Sequence, residues 1–418
     1  MRSLLLISLC VFVTAYHGEG PPEKGVGPSE NHIKHIDGGV GGGVNGDVGN
    51  IGVGIGGIGG GGGCDPVACD IKGFQDQTTY TVVNFPYGVA VADFNGDGHL
   101  DVVSSGLRTG ENAVSILLGT GTGSFQPQTT FPAGPGPAGV ALGDFNKDGK
   151  IDIVVANIGA TQVSVLIGNG DGTFQSPTAY GVVTNPYGVA VGDFGGDGNL
   201  DIVATNYVDN SVSVLLGNGD GTFQPQVRVA VGAFPLGVAV GDFNGDGKLD
   251  IVAATSGDST VSVLLGNGDG TFQTFTAYAV ESNDLGVAVG DFNGDGKLDI
   301  VAANNGGNSV SVLLGNGDGT FQTQTSFPVG SGAYNVAVGD LTGDGNLDIV
   351  VTNYNSNTLG VLLGDGSGGF QTQVTYPVGS RPLGVALGDF NEDDRLDIVD
   401  TNSGKDTVSV LLGIPCAT

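Results

Sequence analysis

Nine residues, Asp93-Phe94-Asn95-Gly96-Asp97-Gly98-His99-Leu100-Asp101, put three carboxylates and a carboxamide into one short stretch. The stretch recurs at Asp144, Asp193, Asp242, Asp291, Asp340 and Asp389, after one interval of 51 residues and five of 49. Aspartates at positions 1, 5 and 9, with Asn usually at 3 and Gly at 6, form a run of hard oxygen ligands. Calcium accepts about six to eight such oxygens in a flexible cage, whereas magnesium demands near-octahedral geometry and keeps its waters. Few histidines and no suitably spaced cysteines make zinc and copper poor candidates. The chemistry these residues propose is calcium binding.

Side chains at positions 1, 3 and 5 converge as the backbone curls, position 7 offers its backbone carbonyl, and the Asp at 9 closes the set. The candidate ligands of the first loop are Asp93, Asn95, Asp97, His99 and Asp101, and of the second Asp144, Asn146, Asp148, Lys150 and Asp152. The third has Asp193, Asp197, Asn199 and Asp201; the fourth Asp242, Asn244, Asp246, Lys248 and Asp250; the fifth Asp291, Asn293, Asp295, Lys297 and Asp299. The sixth has Asp340, Thr342, Asp344, Asn346 and Asp348, and the seventh Asp389, Asn391, Asp393, Arg395 and Asp397. Up to seven calcium ions follow. The third site is the weakest, because Gly195 stands where a ligand belongs. The sixth offers only the Thr342 hydroxyl, and the seventh has Asp394 at the sharp turn where the other loops have Gly. Metal-free tight turns use the same residue types. Seven clusters of three carboxylates would then repel without compensation, which favours the metal.

Charge points the same way. The chain carries 43 acidic residues and a formal charge of −30. Three aspartates in each of seven loops, with Glu392 and Asp394, account for 23 acids, so just over half the acidity sits at the proposed sites. Seven Ca²⁺ would bring the net charge to −16. Such a chain is unsuited to nucleic acid and to anionic membrane surfaces.

The elements that must position these loops are strands. Each unit reads as a small apolar strand such as 188–193, the acidic loop, a second strand such as 249–252, and a third such as 212–216. The turn Gly217-Asn218-Gly219-Asp220-Gly221 then leads to a strand opening with Thr222-Phe223-Gln224. β-Branched runs broken by Asn-Gly and Asp-Gly are hairpin signals. Seven such units with a period near 50 predict an all-β protein, a seven-bladed β-propeller of four-stranded blades. A parallel solenoid is the competitor, but metal-binding solenoids use shorter repeats. Phe94, Phe145, Phe194, Phe243, Phe292 and Phe390 are expected between blades. The last unit stops at Leu411-Leu412-Gly413 without its outer strand, while Gly73-Phe74-Gln75 resembles the start of that strand. The segment 74–81 is therefore expected to close the seventh blade beside 408–412, removing open edges.

With those residues in hand, the chain resembles the FG-GAP or VCBS repeat family, the repeats of integrin α-subunit propellers. The loop Asp-Phe-Asn-Gly-Asp-Gly-Lys-Leu-Asp stands verbatim at Asp242 and Asp291, and the resemblance covers residues 73–413. It implies calcium in the hairpin between the first two strands of each blade, with positions 1, 3, 5, 7 and 9 as ligands. Gly195, Thr342 and Asp394 are departures. Integrin transmembrane and stalk regions have no counterpart in this chain, and some secreted fungal lectins look similar in architecture.

The N-terminus reads as that of a secreted protein. Residues 1–15 resemble a signal peptide, with Arg2, an apolar run over 4–13 and Val13-Thr14-Ala15 as cleavage site. Residues 16–63 form a polar and then Gly-rich linker, which could also self-associate, and 64–418 the propeller. No stretch reaches the roughly twenty apolar residues of a membrane span. In an oxidising compartment Cys416 is expected to bond Cys69, or else Cys64, clasping the ring; a Cys64–Cys69 bond is the rival.

Ligands are expected on the rim opposite the acidic loops. Tyr87, Tyr187 and Tyr334 hold matching positions at the start of the first strand, and Tyr207 and Tyr354 lie in the Asn-rich loops 205–210 and 352–357. Tyrosines could stack on sugars and the amides could bind hydroxyls, although turn chemistry alone favours Asn and Gly. Trp is absent. The longer first unit adds residues around Arg108 and Glu111. His99 is the one histidine in the folded region, and no nucleophile–base–orienter set can be assembled, so an enzyme is not expected. Two classes remain: a secreted, monomeric ring that recognises extracellular proteins or glycans, including a calcium-dependent lectin, or a structural protein anchored by its Gly-rich arm.

Overall fold

The computed structural model describes residues 73–107, 110 and 112–414. The segment expected to be a signal peptide, the Gly-rich segment, Arg108, Glu111 and the cysteines 64, 69 and 416 lie outside the described residues. Twenty-eight strands form seven four-stranded antiparallel sheets, and no described residue is helical. Within blade 1 the order runs from the inner strand Pro86–Ala92 through Asp101–Gly106 and Ala113–Leu117 to the outer strand Thr129–Pro132. The inner strand of blade 1 packs against that of blade 2, Pro137–Gly143, and that of blade 7, Pro382–Gly388, which closes the ring.

Closure follows the expected route. Strand Thr78–Thr81 pairs antiparallel with Thr407–Leu411, in register from Thr78 with Val410 to Thr81 with Thr407. Phe74 bridges Gly413 just beyond that ladder. The first strand in sequence is thus the outer strand of the last blade, and no blade is left with an unpaired third strand.

Small residues line the axis because the inner strands nearly touch. A Cβ on Gly139 would stand 2.5 Å from the Tyr187 carbonyl oxygen, and one on Gly384 the same distance from that of Tyr87. Farther out, each blade is sealed to the next by an aromatic pair. Phe94 meets Phe174 edge-on with centroids 5.6 Å apart, and Phe145 meets Phe223 at 5.4 Å. All six loop phenylalanines are buried, as the repeat pattern predicts. Such pairs contribute about 0.5–1.5 kcal/mol beyond the area they bury. The Gly-rich outer turn is part of the same seam, since Gly172 N–H donates to the Phe94 carbonyl at 2.9 Å.

Candidate functional site

Two rims carry the residues of interest. On the acidic rim all seven loops take one conformation, whatever their ligand complement. The position-1 carboxylate accepts the N–H of position 6 at 2.8 Å in every loop, from Gly98 onto Asp93 to Asp394 onto Asp389. The position-5 carboxylate accepts the N–H of position 7, as with His99 onto Asp97 at 2.9 Å. The chain turns left-handed twice, at positions 4 and 6, as at Gly245 (φ 72°) and Gly247 (φ 80°). Lys147, Glu392 and Asp394 adopt the same φ of 60–62° without being glycine, so the departure at Asp394 leaves the loop shape unchanged.

The position-9 aspartate does two jobs. Asp101 is buried, and its two oxygens accept the N–H groups of Phe94 and Gly119 at 2.8 and 2.7 Å. It pins the acidic loop to the outer turn, and Asp152, Asp201, Asp250, Asp299, Asp348 and Asp397 repeat the pattern. Burial, reinforced by the negative field of positions 1 and 5, pushes Asp101 and Asp348 up to about 7 and Asp152, Asp250, Asp299 and Asp397 to about 6. Asp201 is raised too, chiefly by burial.

Whether these loops suit calcium is a question about their oxygens. Among the described residues no group of three or more His, Cys, Asp or Glu stands ready-made as a metal cage, because the side chains are turned onto backbone N–H groups. Asn95 Oδ1 likewise accepts the Asp97 N–H at 2.9 Å. Oxygens such as Asp97 Oδ1 accept one N–H and keep a lone pair, while Asp242 Oδ1 already accepts three, and each loop gathers three carboxylates. Lys248 and Lys297 fold back onto Asp246 and Asp295 at 3.5 and 3.3 Å, exposed pairs that contribute little. All-oxygen donors with uncompensated charge fit a hard divalent cation. Gly195 has open space beside it: a Cβ there would meet nothing nearer than Asp201 Oδ2 at 3.7 Å. His99 leans across the closing seam to Glu392 of the seventh loop. That carboxylate raises its imidazole.

The opposite rim is irregular. Tyr87, Tyr187 and Tyr334 converge near the axis, with Tyr87 centroids 6.3 Å from Tyr187 and 6.1 Å from Tyr334. The Tyr87 and Tyr334 hydroxyls are 3.0 Å apart. Tyr87 is only 5% exposed, so it supports its neighbours rather than offering a face of its own. Burial raises Tyr334 to about 12, keeping its phenol protonated. The chain of rings continues outward through Tyr207, 5.3 Å from Tyr187, to Phe234, stacked on Tyr207 at 5.1 Å and 30°. In the other direction it runs through Tyr354, 6.0 Å from Tyr334, to the Arg381 guanidinium 5.9 Å above the Tyr354 ring. The five tyrosines singled out from sequence are thus one connected structure. At its base lies a cavity of about 10 Å³ lined by Tyr87, Leu236, Leu285, Tyr334 and Asn335, room for about one water. The Asn335 carboxamide is buried there with Nδ2 unpartnered.

Phe234 and Arg381 are absent from the sequence reading. Both occupy a position just before the inner strand where every blade takes a positive φ; Phe85, Gly136, Asn185, Asn283 and Gly332 hold it elsewhere. The Asn-rich loops explain themselves in part through this position. Asn210 Oδ1 accepts the Phe234 N–H at 3.0 Å, Asn308 that of Gly332 at 2.8 Å, and Asn357 that of Arg381 at 2.8 Å. Each carboxamide fixes the turn of the next blade, a role visible only once the blades are adjacent.

A family model described as an FG-GAP-like repeat matches residues 93–155, 144–204, 196–253, 242–302, 291–351 and 340–399. No curated protein matches the chain. Among solved structures, an Agrocybe aegerita lectin that recognises non-reducing terminal N-acetylglucosamine is 26% identical, with a TM-score of 0.53, covering 77% of this chain and 86% of its own. Virginiamycin B lyase from Staphylococcus aureus is 17% identical, with a TM-score of 0.56 and 82% and 100% coverage. A periplasmic gluconolactonase of Pseudomonas aeruginosa is 18% identical, at 0.53, with 69% and 85% coverage. The last two share the fold alone.

Proposed function

The chain belongs to the FG-GAP-like repeat family, and on that premise we propose that it is a secreted recognition module, a ring stiffened by calcium that binds glycans. Calcium sits at the acidic rim, where it offsets the charge of three carboxylates per loop and holds the hairpins that space the blades. The ligand meets the other rim. The observation that carries this reading is the connected run of partly exposed tyrosines there, ending in Phe234 and Arg381, on a scaffold whose other rim repeats almost without variation. Aromatic rings beside neutral amides suit sugars, which present apolar ring faces edged by hydroxyls. The lectin neighbour, at 26% identity, adds support for a glycan over a protein ligand. Catalysis is not part of the reading, since His99 is engaged with Glu392 far from the tyrosines.

The test is a glycan array probed with the secreted protein, with calcium and with chelator, alongside its melting curve in both. Calcium is expected to raise the melting temperature through selective binding to the folded state, which adds about 2.7 kcal/mol of stability per site at a hundredfold excess over Kd. A defined sugar class is expected to bind. An unchanged melting curve would remove calcium from the account, and a blank array with folded protein would leave a protein ligand or a structural role.

A further inference from the structure

The Tyr207–Phe234 stack differs from everything else on its rim. Phe234 is 43% exposed and Val208 beside it 56%, so the apolar surface faces solvent at the junction of blades 3 and 4. Phe234 also holds a φ of 54°, in the left-handed region that disfavours bulky side chains. The equivalent positions show that the fold does not require a ring here: blade 1 also has a phenylalanine, Phe85 (φ 54°), packed partly buried against the core, whereas Asn185 and Asn283 take φ values of 53° and 60°, as residues that tolerate the conformation. An aromatic ring is thus kept exposed and strained where the scaffold would accept Asn. Gly257 makes room for it, since a Cβ there would stand 2.5 Å from Phe234 Cδ2.

The groups around the ring are polar amides and hydroxyls, one ion pair and one carboxylate. Asn210 spends its Oδ1 on the Phe234 N–H, which leaves the two Nδ2 donors beside the ring without a partner among the described residues. The Tyr207 hydroxyl and the Asn185 carboxamide likewise have no hydrogen-bond partner there. Of the nearby charges, Asp209 and Arg228 are paired with each other, while the Asp258 carboxylate accepts the Ala233 N–H at 2.6 Å and has no ion pair among the described residues. A flat apolar surface edged by amide donors and by a carboxylate able to accept from hydroxyls describes a surface for a pyranose.

We propose that Tyr207, Phe234 and Asn210 form a subsite for a neutral β-linked oligosaccharide, whose pyranose ring lies on the exposed surface of Phe234 while its hydroxyls meet Asn210, Asn185 and Tyr207. Equatorial substituents leave such a ring with an apolar face broad enough to cover the phenyl group. The inference rests on the glycan reading given above and names the place where it acts.

The test uses the intact protein with cellotetraose, tetraacetylchitotetraose and laminaritetraose, followed by calorimetry and by tyrosine fluorescence, which is informative because the chain lacks Trp. At least one is expected to bind. Phe234→Asn, the residue the neighbouring blades use, is expected to weaken that binding about tenfold, as loss of one stacking contact would, while the melting temperature stays level or rises. Phe234→Tyr is expected to keep the binding. Equal affinity in Phe234→Asn, or a drop in its melting temperature of the size a core residue gives, overturns the subsite. Binding that survives Phe234→Asn but is lost in Tyr354→Ala moves the ligand to the other end of the tyrosine run, overturning this subsite while sparing the rim. Failure of all three sugars with the wild-type protein overturns the subsite, and an array that still shows another glycan class bound keeps the broader reading apart from it.

Discussion

The two rims of this ring are built from the same seven repeats and obey different rules. On the acidic rim even the incomplete third loop and the Asp394 loop keep the common shape, with the same 2.8 Å contact from position 6 to position 1. On the tyrosine rim the matching positions hold Tyr87, Ala138, Tyr187, Leu236, Leu285, Tyr334 and Leu383 in turn. Regularity belongs to the rim that makes the fold. There each loop must close a hairpin, pin an outer turn through its position-9 aspartate and receive the turn of the next blade, so most changes cost stability. The other rim is released from those duties, and its side chains can differ without altering the blades. The lesson is to look for recognition where a repeat protein stops repeating.

The comparison breaks most visibly at position 9. Asp299→Ala leaves the buried N–H groups of Phe292 and Gly315 without an acceptor, and such losses cost about 1–3 kcal/mol for each group. Chemical denaturation in chelator should show this loss even without calcium. A variant as stable as the parent would deny the pinning role.

A second test concerns a departure inside a blade. Asp400 is fully buried where blades 2 and 6 have Val155 and Val351, and neither carboxyl oxygen has a hydrogen-bond partner. Its cross-strand neighbour Ser409 turns its hydroxyl to Gln77 instead. Burial holds the Asp400 carboxyl well above the ordinary carboxylate range. A raised folded-state value favours the protonated form, so this group suits the fold best below about pH 4, where unfolded Asp is also protonated, and costs stability as pH rises. Asp400→Val should therefore stabilise the ring, on the order of 1–3 kcal/mol at neutral pH, with a smaller gain at pH 4. Melting curves at both pH values check it, and an equal gain at the two would sever the effect from ionisation.

The smallest expected effect lies in the third acidic loop. Gly195→Asn restores the missing oxygen in space that is already open. Titration should then register tighter calcium binding at that loop with little change in metal-free stability, a difference of about 1 kcal/mol or less. No gain in affinity would mean that position 3 is not a ligand.

Much of this molecule could be read from the residues. The 49-residue period, the hairpin turns and the truncated last unit predict seven four-stranded blades and a closing strand within 74–81, and the structure has them, the latter as Thr78–Thr81. Those features are local or periodic, and a pattern of turns and β-branched residues determines them wherever the strands end up. Apart from the repeating phenylalanines, contacts between blades left no such trace. Asn210 looks like turn chemistry until the ring places its carboxamide 3.0 Å from the Phe234 amide, 24 residues on. The stacking of Tyr207 on Phe234, the burial of Tyr87 among its fellows and the isolation of Asp400 were likewise decided by tertiary structure. The physical reason is distance along the chain: side chains from different blades meet only because the ring closes, and whether an aromatic ring ends as core or as exposed platform depends on which neighbour it meets there.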